Sequence, residues 1–562
     1  MATCLLKNLQ TPDYSRYTSV GKNSTVATDS PYATQAAMNV LKYGGNAIDA
    51  AITAAAMLNL TYPGGGGLGG GGFCTIYLSE KNKIYSLDFR ETAPSSITSE
   101  SFDNLDPITL AQSSLSVGIL GTLAGWLTLN SRFGTIELKT LFSPAIYLAS
   151  NGFKADPSYI RSLGTNIDKL RMYSSTRDLL LNPETLELPS IGDRIYNKDL
   201  ANTLKLIGRR GANAFYDGAI TYDIINAINN PPVINPDIVN YSGVVTIKDF
   251  NNYKSIFRCP ITFKYKDYKI YSAPPPSSGG IVLAETFNIL SNYELDNMSR
   301  GDAYHLFLQS INLSCADRNK YIADPKYAEV PTKTLISLPY AKRRSKLIRE
   351  VDTIYQPGHI FSYADKIAKG NIRENTSTTN ITIIDQQGNI IVYTFTLGFL
   401  GGSGIVVPNR GFLLNNELTD FDNSEINRPE PGKRPRSSIT PTIVLKSAKP
   451  YLALGGAGGR YITMVILNAL FKIFEYRYDW PSSINTLILY TFNDELLDEQ
   501  NNKITYYRYT GDVYNILETL KHRQYNLLEL IPSIHSINGL EIVNNIQQGS
   551  IQFDRTGSVL SI

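Results

Sequence analysis

Two short runs late in the chain, residues 378–384 and 390–397, are dominated by β-branched and aromatic side chains. The five residues between them, Asp385-Gln386-Gln387-Gly388-Asn389, are polar, with glycine and asparagine near the end. This pattern predicts two strands joined by a hairpin loop. A hairpin symmetric about Gln387 sets Thr378 opposite Thr396, with Cβ atoms about 4.5–5.5 Å apart, near enough for two hydroxyls to hydrogen-bond. A bulge in the loop would shift the register by one residue and turn Thr396 to the other face.

Helical spacing governs the early chain. Residues 33–43 carry apolar or small side chains at helical positions, with Asp29 and Ser30 as cap candidates before them and Gly44-Gly45 as the stop. A second helix is expected over 47–60, ended by Tyr62-Pro63, and further ones over 138–150, 221–228 and 281–290. Residues 64–72 are eight glycines around Leu68, followed by an apolar strand at 73–78. A phosphate-binding loop would end in Gly-Lys-Ser/Thr and lead into a helix, so this run reads as backbone that packs very closely against something. Residues 343–375 are polar and read as exposed and loop-rich, and no repeat of 20 to 50 residues is present.

Composition narrows the class without naming an activity. Hydrophobic residues make up 43% and charged residues 18% of 562, typical of a chain that folds compactly. Lys plus Arg is 53 against 50 for Asp plus Glu, a net charge of +3 that offers no field for nucleic acid or an acidic membrane. The first residues lack the apolar run of a signal peptide and no segment reaches the length of a membrane helix, so a cytoplasmic location is the default expectation. Cys4, Cys74, Cys259 and Cys315 are far apart and read as buried small hydrophobes, not as a disulfide framework or a zinc site. The four histidines have no metal-ligand spacing and give no positive support to a Ser-His-Asp triad.

Several motifs stand in a fixed order along the chain. They are Gly44-Gly45-Asn46-Ala47-Ile48-Asp49-Ala50-Ala51, Asp88-Phe89-Arg90-Glu91-Thr92-Ala93-Pro94, the stretch from Pro274 to Gly280, and Ala316-Asp317-Arg318. The Thr378-Thr379 pair follows, then Gly411 to Phe421, Lys433-Arg434-Pro435-Arg436-Ser437-Ser438, and Gly455-Gly456-Ala457-Gly458-Gly459. In these motifs the chain resembles the gamma-glutamyltransferase (gamma-glutamyltranspeptidase) family of N-terminal-nucleophile hydrolases. The likeness covers most of the chain and fades over the last 60 or so residues.

The resemblance implies an α+β fold, a four-layer αββα sandwich with two stacked antiparallel sheets. It implies a precursor that cuts itself between Ser377 and Thr378 into a large part, 1–377, and a small part, 378–562, which stay one intertwined domain. Thr378 would be the nucleophile and its freed α-amino group the base, because a hydroxyl is weak without one. Thr396 would hydrogen-bond the nucleophile, and the backbone N–H groups of Gly458 and Gly459 would form the oxyanion hole. Arg90, Ser437 and Ser438 would hold the substrate's α-carboxylate, and Glu417 and Asp420 its α-ammonium. No cofactor or metal is called for. The partners implied are a gamma-glutamyl amide such as glutathione and water or an amino-acid or peptide acceptor.

Three features depart from the family pattern. Gly398 stands where members often carry Asn, Asn380 stands where His is common, and the segment from Asp420 to Ser437 is short, which implies an open pocket. Two other readings follow: an acylase for non-glutamyl amides of glutaryl or oxamate type, and an uncut, inactive binding homologue.

Overall fold

The structure is a computed structural model that describes residues 2–12, 17–164, 167–360, 377–493, 503–507, 513–529, 535–552 and 556–562. Its centre is the expected hairpin. Strands Thr379–Ile384 and Ile390–Thr396 pair antiparallel in the symmetric register, Thr379 opposite Phe395 and Asn380 opposite Thr394, one step short of Thr378 and Thr396.

Around this hairpin a seven-stranded antiparallel sheet runs, in spatial order, through Ser558–Ser561, Thr25–Thr28, Thr379–Ile384, Ile390–Thr396, Gly71–Leu78, Lys83–Asp88 and Ile256–Arg258. A second seven-stranded antiparallel sheet is ordered Thr18–Gly21, Ile546–Ile551, Ser536–Val543, Lys449–Ala457, Thr442–Lys446, Tyr268–Ser272 and Ile261–Tyr265. Val392, Ile390 and Tyr77 of the first meet Ile443, Ala453 and Leu540 of the second in an apolar seam. Helices Pro31–Lys42 and Ala47–Thr61 cover the outer face of the first sheet, Gly279–Leu290 and Tyr461–Tyr476 cover that of the second, and Arg300–Tyr321 packs on Gly279–Leu290. The result is the four-layer sandwich, each sheet burying one face on helices and the other on its partner.

Local chemistry explains the elements. Asn46 accepts hydrogen bonds from the N–H groups of Ile48 and Asp49, while the Asp49 carboxylate accepts from the N–H of Asn46 at 3.1 Å, a capping box that starts Ala47–Thr61. Pro31 opens the preceding helix, where its missing N–H costs nothing. Ser30 is the cap residue there by position but makes no side-chain cap bond, and Asp29 turns away to the hairpin, so neither caps as expected. The helix expected over 138–150 is two, Leu138–Leu141 and Ser143–Asn151, because Pro144 cannot donate to the turn before it.

The glycine run packs as closely as predicted. A Cβ at Gly69 would lie 1.8 Å from the carbonyl oxygen of Leu413, and one at Gly70 would lie 1.9 Å from that of Thr396. Of the cysteines, Cys74 and Cys315 are buried but Cys4 and Cys259 are exposed, so only two follow expectation. Residues 351–360 are irregular yet not merely exposed. Tyr355 and Ile360 are buried, and the N–H of Gly358 donates to Asp317 at 2.5 Å, which straps the segment to helix Arg300–Tyr321. At its start the predicted loop is instead the end of helix Leu338–Ser345, with Arg344 and Ser345 buried, and 361–375 lie outside the described residues. Among the described residues no helix is long and apolar enough to cross a membrane.

Candidate active site

Thr378 stands immediately before strand Thr379–Ile384 and is 5% exposed, and Thr396, 3% exposed, ends the paired strand. Their hydroxyls meet on a third atom and not directly on each other. Both donate to the carbonyl oxygen of Ser377, Thr396 at 3.2 Å. The oxygen of the Thr396 hydroxyl in turn accepts the N–H of Gly398 at 2.9 Å, which orients it. The Ser377 hydroxyl donates to the carbonyl of Gly64 at 3.0 Å, and its N–H to that of Gly398 at 3.2 Å. The glycine run therefore cradles the peptide that precedes Thr378.

Asp29 completes this geometry. Its carboxylate accepts from the Thr379 hydroxyl at 2.8 Å and from the N–H of Asn380 at 3.2 Å, fixing the residues after Thr378. In the sequence it reads only as a helix cap. Asn380 itself donates to Asn538 of the facing sheet at 2.8 Å.

Arg90 follows strand Lys83–Asp88 and is 1% exposed. Its Nη1 donates to Glu417 and its Nη2 to Asp420, each at 2.5 Å, and the two carboxylates come from one 3₁₀ turn, Glu417–Asp420. A residue and the third after it share a face of such a turn, so both point at the guanidinium. The residues expected to hold opposite ends of one ligand thus hold each other. Glu91, 3.7 Å from Arg90, brings a third buried carboxylate.

Three carboxylates around one guanidinium leave acceptors over. Glu417 Oε1, Asp420 Oδ1 and both Glu91 oxygens have no hydrogen-bond partner among the described residues. Burial is the main force here, raising Glu417 to about 7 against the pull of Arg90, and raising Asp420 too. Burial and the Glu417 charge push Glu91 well above the usual carboxylate range. The arrangement is short of a cation.

Arg90 also donates from Nε to the carbonyl of Pro435 at 3.3 Å and from Nη2 to that of Arg436 at 3.2 Å, drawing in the segment that bears Ser437 and Ser438. The carbonyl of Ser437 accepts from the N–H of Ser278 at 2.7 Å, and the Ser438 hydroxyl accepts from Arg318 at 3.2 Å. Arg318 and Ser278 were visible in the sequence only as parts of motifs. The clamp is tied to the hairpin as well: the N–H of Asn416, next to Glu417, donates to the carbonyl of Leu397, next to Thr396, at 2.9 Å.

Gly458 and Gly459 sit between strand Lys449–Ala457 and helix Tyr461–Tyr476, with φ of 122° and 59°, a backbone that glycine alone adopts at little cost. Their N–H groups stand immediately before Arg460, the N-cap residue of that helix. Such groups at a helix start suit a negative oxygen.

The sequence profile of the Gamma-glutamyltranspeptidase family matches residues 33–549. The chain belongs to the gamma-glutamyltranspeptidase family. Within this enzyme family it is 33% identical to a glutathione hydrolase proenzyme of Bacillus subtilis (strain 168), over 97% of this chain and 92% of the relative. It is 30% identical to the Acylase ACY 1 proenzyme of Pseudomonas sp. (strain SE83), over 84% and 83%. The crystal structure of a cephalosporin acylase from Bacillus halodurans superimposes with a TM-score of 0.84 at 23% identity, covering 98% of both chains, which shows the shared fold.

Proposed function

We propose that this chain is a gamma-glutamyl hydrolase or transferase that matures by cutting itself between Ser377 and Thr378. The observation that supports this reading above others is the convergence of the Thr378 and Thr396 hydroxyls on the Ser377 carbonyl. In the first step the Thr378 Oγ1 adds to that carbonyl carbon, the bond to the Thr378 nitrogen breaks, and an ester forms. Water then hydrolyses the ester, releasing the carboxylate of Ser377 and a Thr378 with a free α-amine. That amine takes the proton of the adjacent hydroxyl when it attacks the next acyl group.

In turnover, the γ-carbonyl of a glutamyl amide is attacked by Thr378 and the amine leaves with a proton. Water or an acceptor amine then takes the glutamyl group from the ester. Developing negative charge on the carbonyl oxygen is met by the N–H groups of Gly458 and Gly459. The unpartnered oxygens of Glu417, Asp420 and Glu91 receive the α-ammonium, and Arg90 with Ser437 and Ser438 receives the α-carboxylate. After the cut, 1–377 and 378–562 stay together, since each sheet is built from strands on both sides of the bond.

The B. subtilis glutathione hydrolase proenzyme at 33% identity favours glutathione-like amides. Gly398 favours the second reading, an acylase for glutaryl or oxamate-type amides, because its N–H is already committed to Thr396 and it has no side chain for the substrate. Intact mass after expression tests the cut: two fragments meeting at Ser377/Thr378 are expected, none in Thr378→Ala, and a wild-type chain that stays whole overturns the reading in favour of an inactive binding homologue. Turnover of a gamma-glutamyl anilide above a glutaryl anilide is the expected result for the substrate, and the reverse order makes it an acylase.

A further inference from the structure

Lys169 lies in the short helix Ile167–Arg171 and is 4% exposed. Burial draws its ammonium down to about 7, so a lysine destabilises this place unless its N–H groups are used. One tight turn uses them: Nζ donates to the carbonyl of Leu400 at 2.5 Å and to that of Gly402 at 2.9 Å. Gly401 and Gly402 have φ of 78° and 57°, a turn that glycine adopts at little cost. The lysine stem runs past Gly404, where a Cβ would lie 2.7 Å from its Cγ.

Between the two held carbonyls, the N–H of Gly401 donates to the carbonyl of Gly64 at 2.9 Å. That carbonyl is the one that accepts the Ser377 hydroxyl at 3.0 Å. Gly64 is wedged in place, since a Cβ there would lie 1.8 Å from the carbonyl oxygen of Ser162 and 3.2 Å from the Gly401 nitrogen. The other end of the same segment reaches Ser377 directly, because the carbonyl of Gly398 accepts its N–H at 3.2 Å. Residues 398–402 therefore govern both the N–H and the hydroxyl of Ser377. With them they set the direction of the carbonyl on which the Thr378 and Thr396 hydroxyls converge.

We propose that Lys169 is a positioning residue for the self-cleavage: by holding the carbonyls of Leu400 and Gly402 it fixes the Gly401 N–H on Gly64, whose carbonyl in turn fixes Ser377 beside the Thr378 hydroxyl. This rests on the self-cleavage reading above. Attack is fast only where the carbonyl carbon is held in line with the nucleophile, and a displacement of about 1 Å costs on the order of 10²-fold. The effect of Lys169 runs through Gly401 and Gly64.

The test follows the intact mass of the newly made full-length chain over time in the wild type, Lys169→Met, Lys169→Gln, Ser377→Ala and the pair Lys169→Met with Ser377→Ala. Methionine matches the lysine stem and donates nothing, whereas glutamine restores an N–H donor. Lys169→Met and Ser377→Ala are each expected to slow the cut about tenfold, and Lys169→Gln by less. The pair should be at most about twofold slower than either alone, because both changes remove one tether. A wild-type rate in Ser377→Ala or in Lys169→Met overturns the role. A pair whose losses multiply, or failure of both lysine variants to fold, makes Lys169 a residue of stability alone and overturns it too. A wild type that never cuts overturns the self-cleavage reading and this role with it.

Discussion

The Thr396 hydroxyl donates to the carbonyl oxygen of Ser377 at 3.2 Å while itself accepting the N–H of Gly398 at 2.9 Å. It is therefore a fixed donor aimed at the oxygen on which charge develops during the proposed self-cleavage. Thr396→Val keeps the β-branched shape and removes the donor, so the cut should slow on the order of 10²-fold. A time course of intact mass measures this, and an unchanged rate would make Thr396 a packing residue only.

Asp29 tethers the Thr379 hydroxyl and the N–H of Asn380 across the first sheet. Asp29→Ala leaves two buried donors unpaired, at a cost of about 1–3 kcal/mol each. Both the melting temperature and the cleavage rate should fall, with Thr379→Val reproducing part of the loss. A lower melting temperature with normal cleavage would reduce Asp29 to a stabilising role.

Arg90 lies among three buried carboxylates, Glu91, Glu417 and Asp420. Arg90→Ala should destabilise the fold by about 3–5 kcal/mol, since it strands the carboxylates. Arg90→Lys keeps a charge but loses the two-pronged fork, and should raise KM for a gamma-glutamyl anilide more than it lowers kcat. Calorimetry and steady-state kinetics separate the two effects.

Burial holds Glu417 near pH 7, against an ordinary value of 4.5. Between these values the folded state keeps a proton that the unfolded chain has released, so stability falls as pH rises from about 4.5 to 7. Asp420 is raised in the same direction and adds to the slope. Glu417→Gln should flatten the decline in melting temperature over this window. Affinity for an α-ammonium should instead improve as Glu417 ionises, giving a KM that drops through pH 7 in the wild type and less so in the variant.

The hairpin, its register and helices Pro31–Lys42 and Ala47–Thr61 were legible because each depends on neighbours in the chain; that the glycine run packs closely was legible from its missing side chains, but the partners it packs against, Leu413 and Thr396, were not. The motifs named the family. Strands Ser536–Val543, Ile546–Ile551 and Ser558–Ser561 were not read, although they complete one sheet and edge the other: the first two form a local hairpin through Asn544-Asn545, whereas Ser558–Ser561 pairs with Thr25–Thr28 at the other end of the chain.

What the sequence by itself determined is the set of groups, an Arg90 among acids and a threonine pair at the head of a strand. Only the tertiary structure decided their relations. Contacts between residues more than 300 apart in sequence set the site, among them Glu417 to Arg90, Asp29 to Thr379, and Gly64 to Ser377. Long-range packing of the sheets makes those contacts, and no local pattern encodes a distance across it.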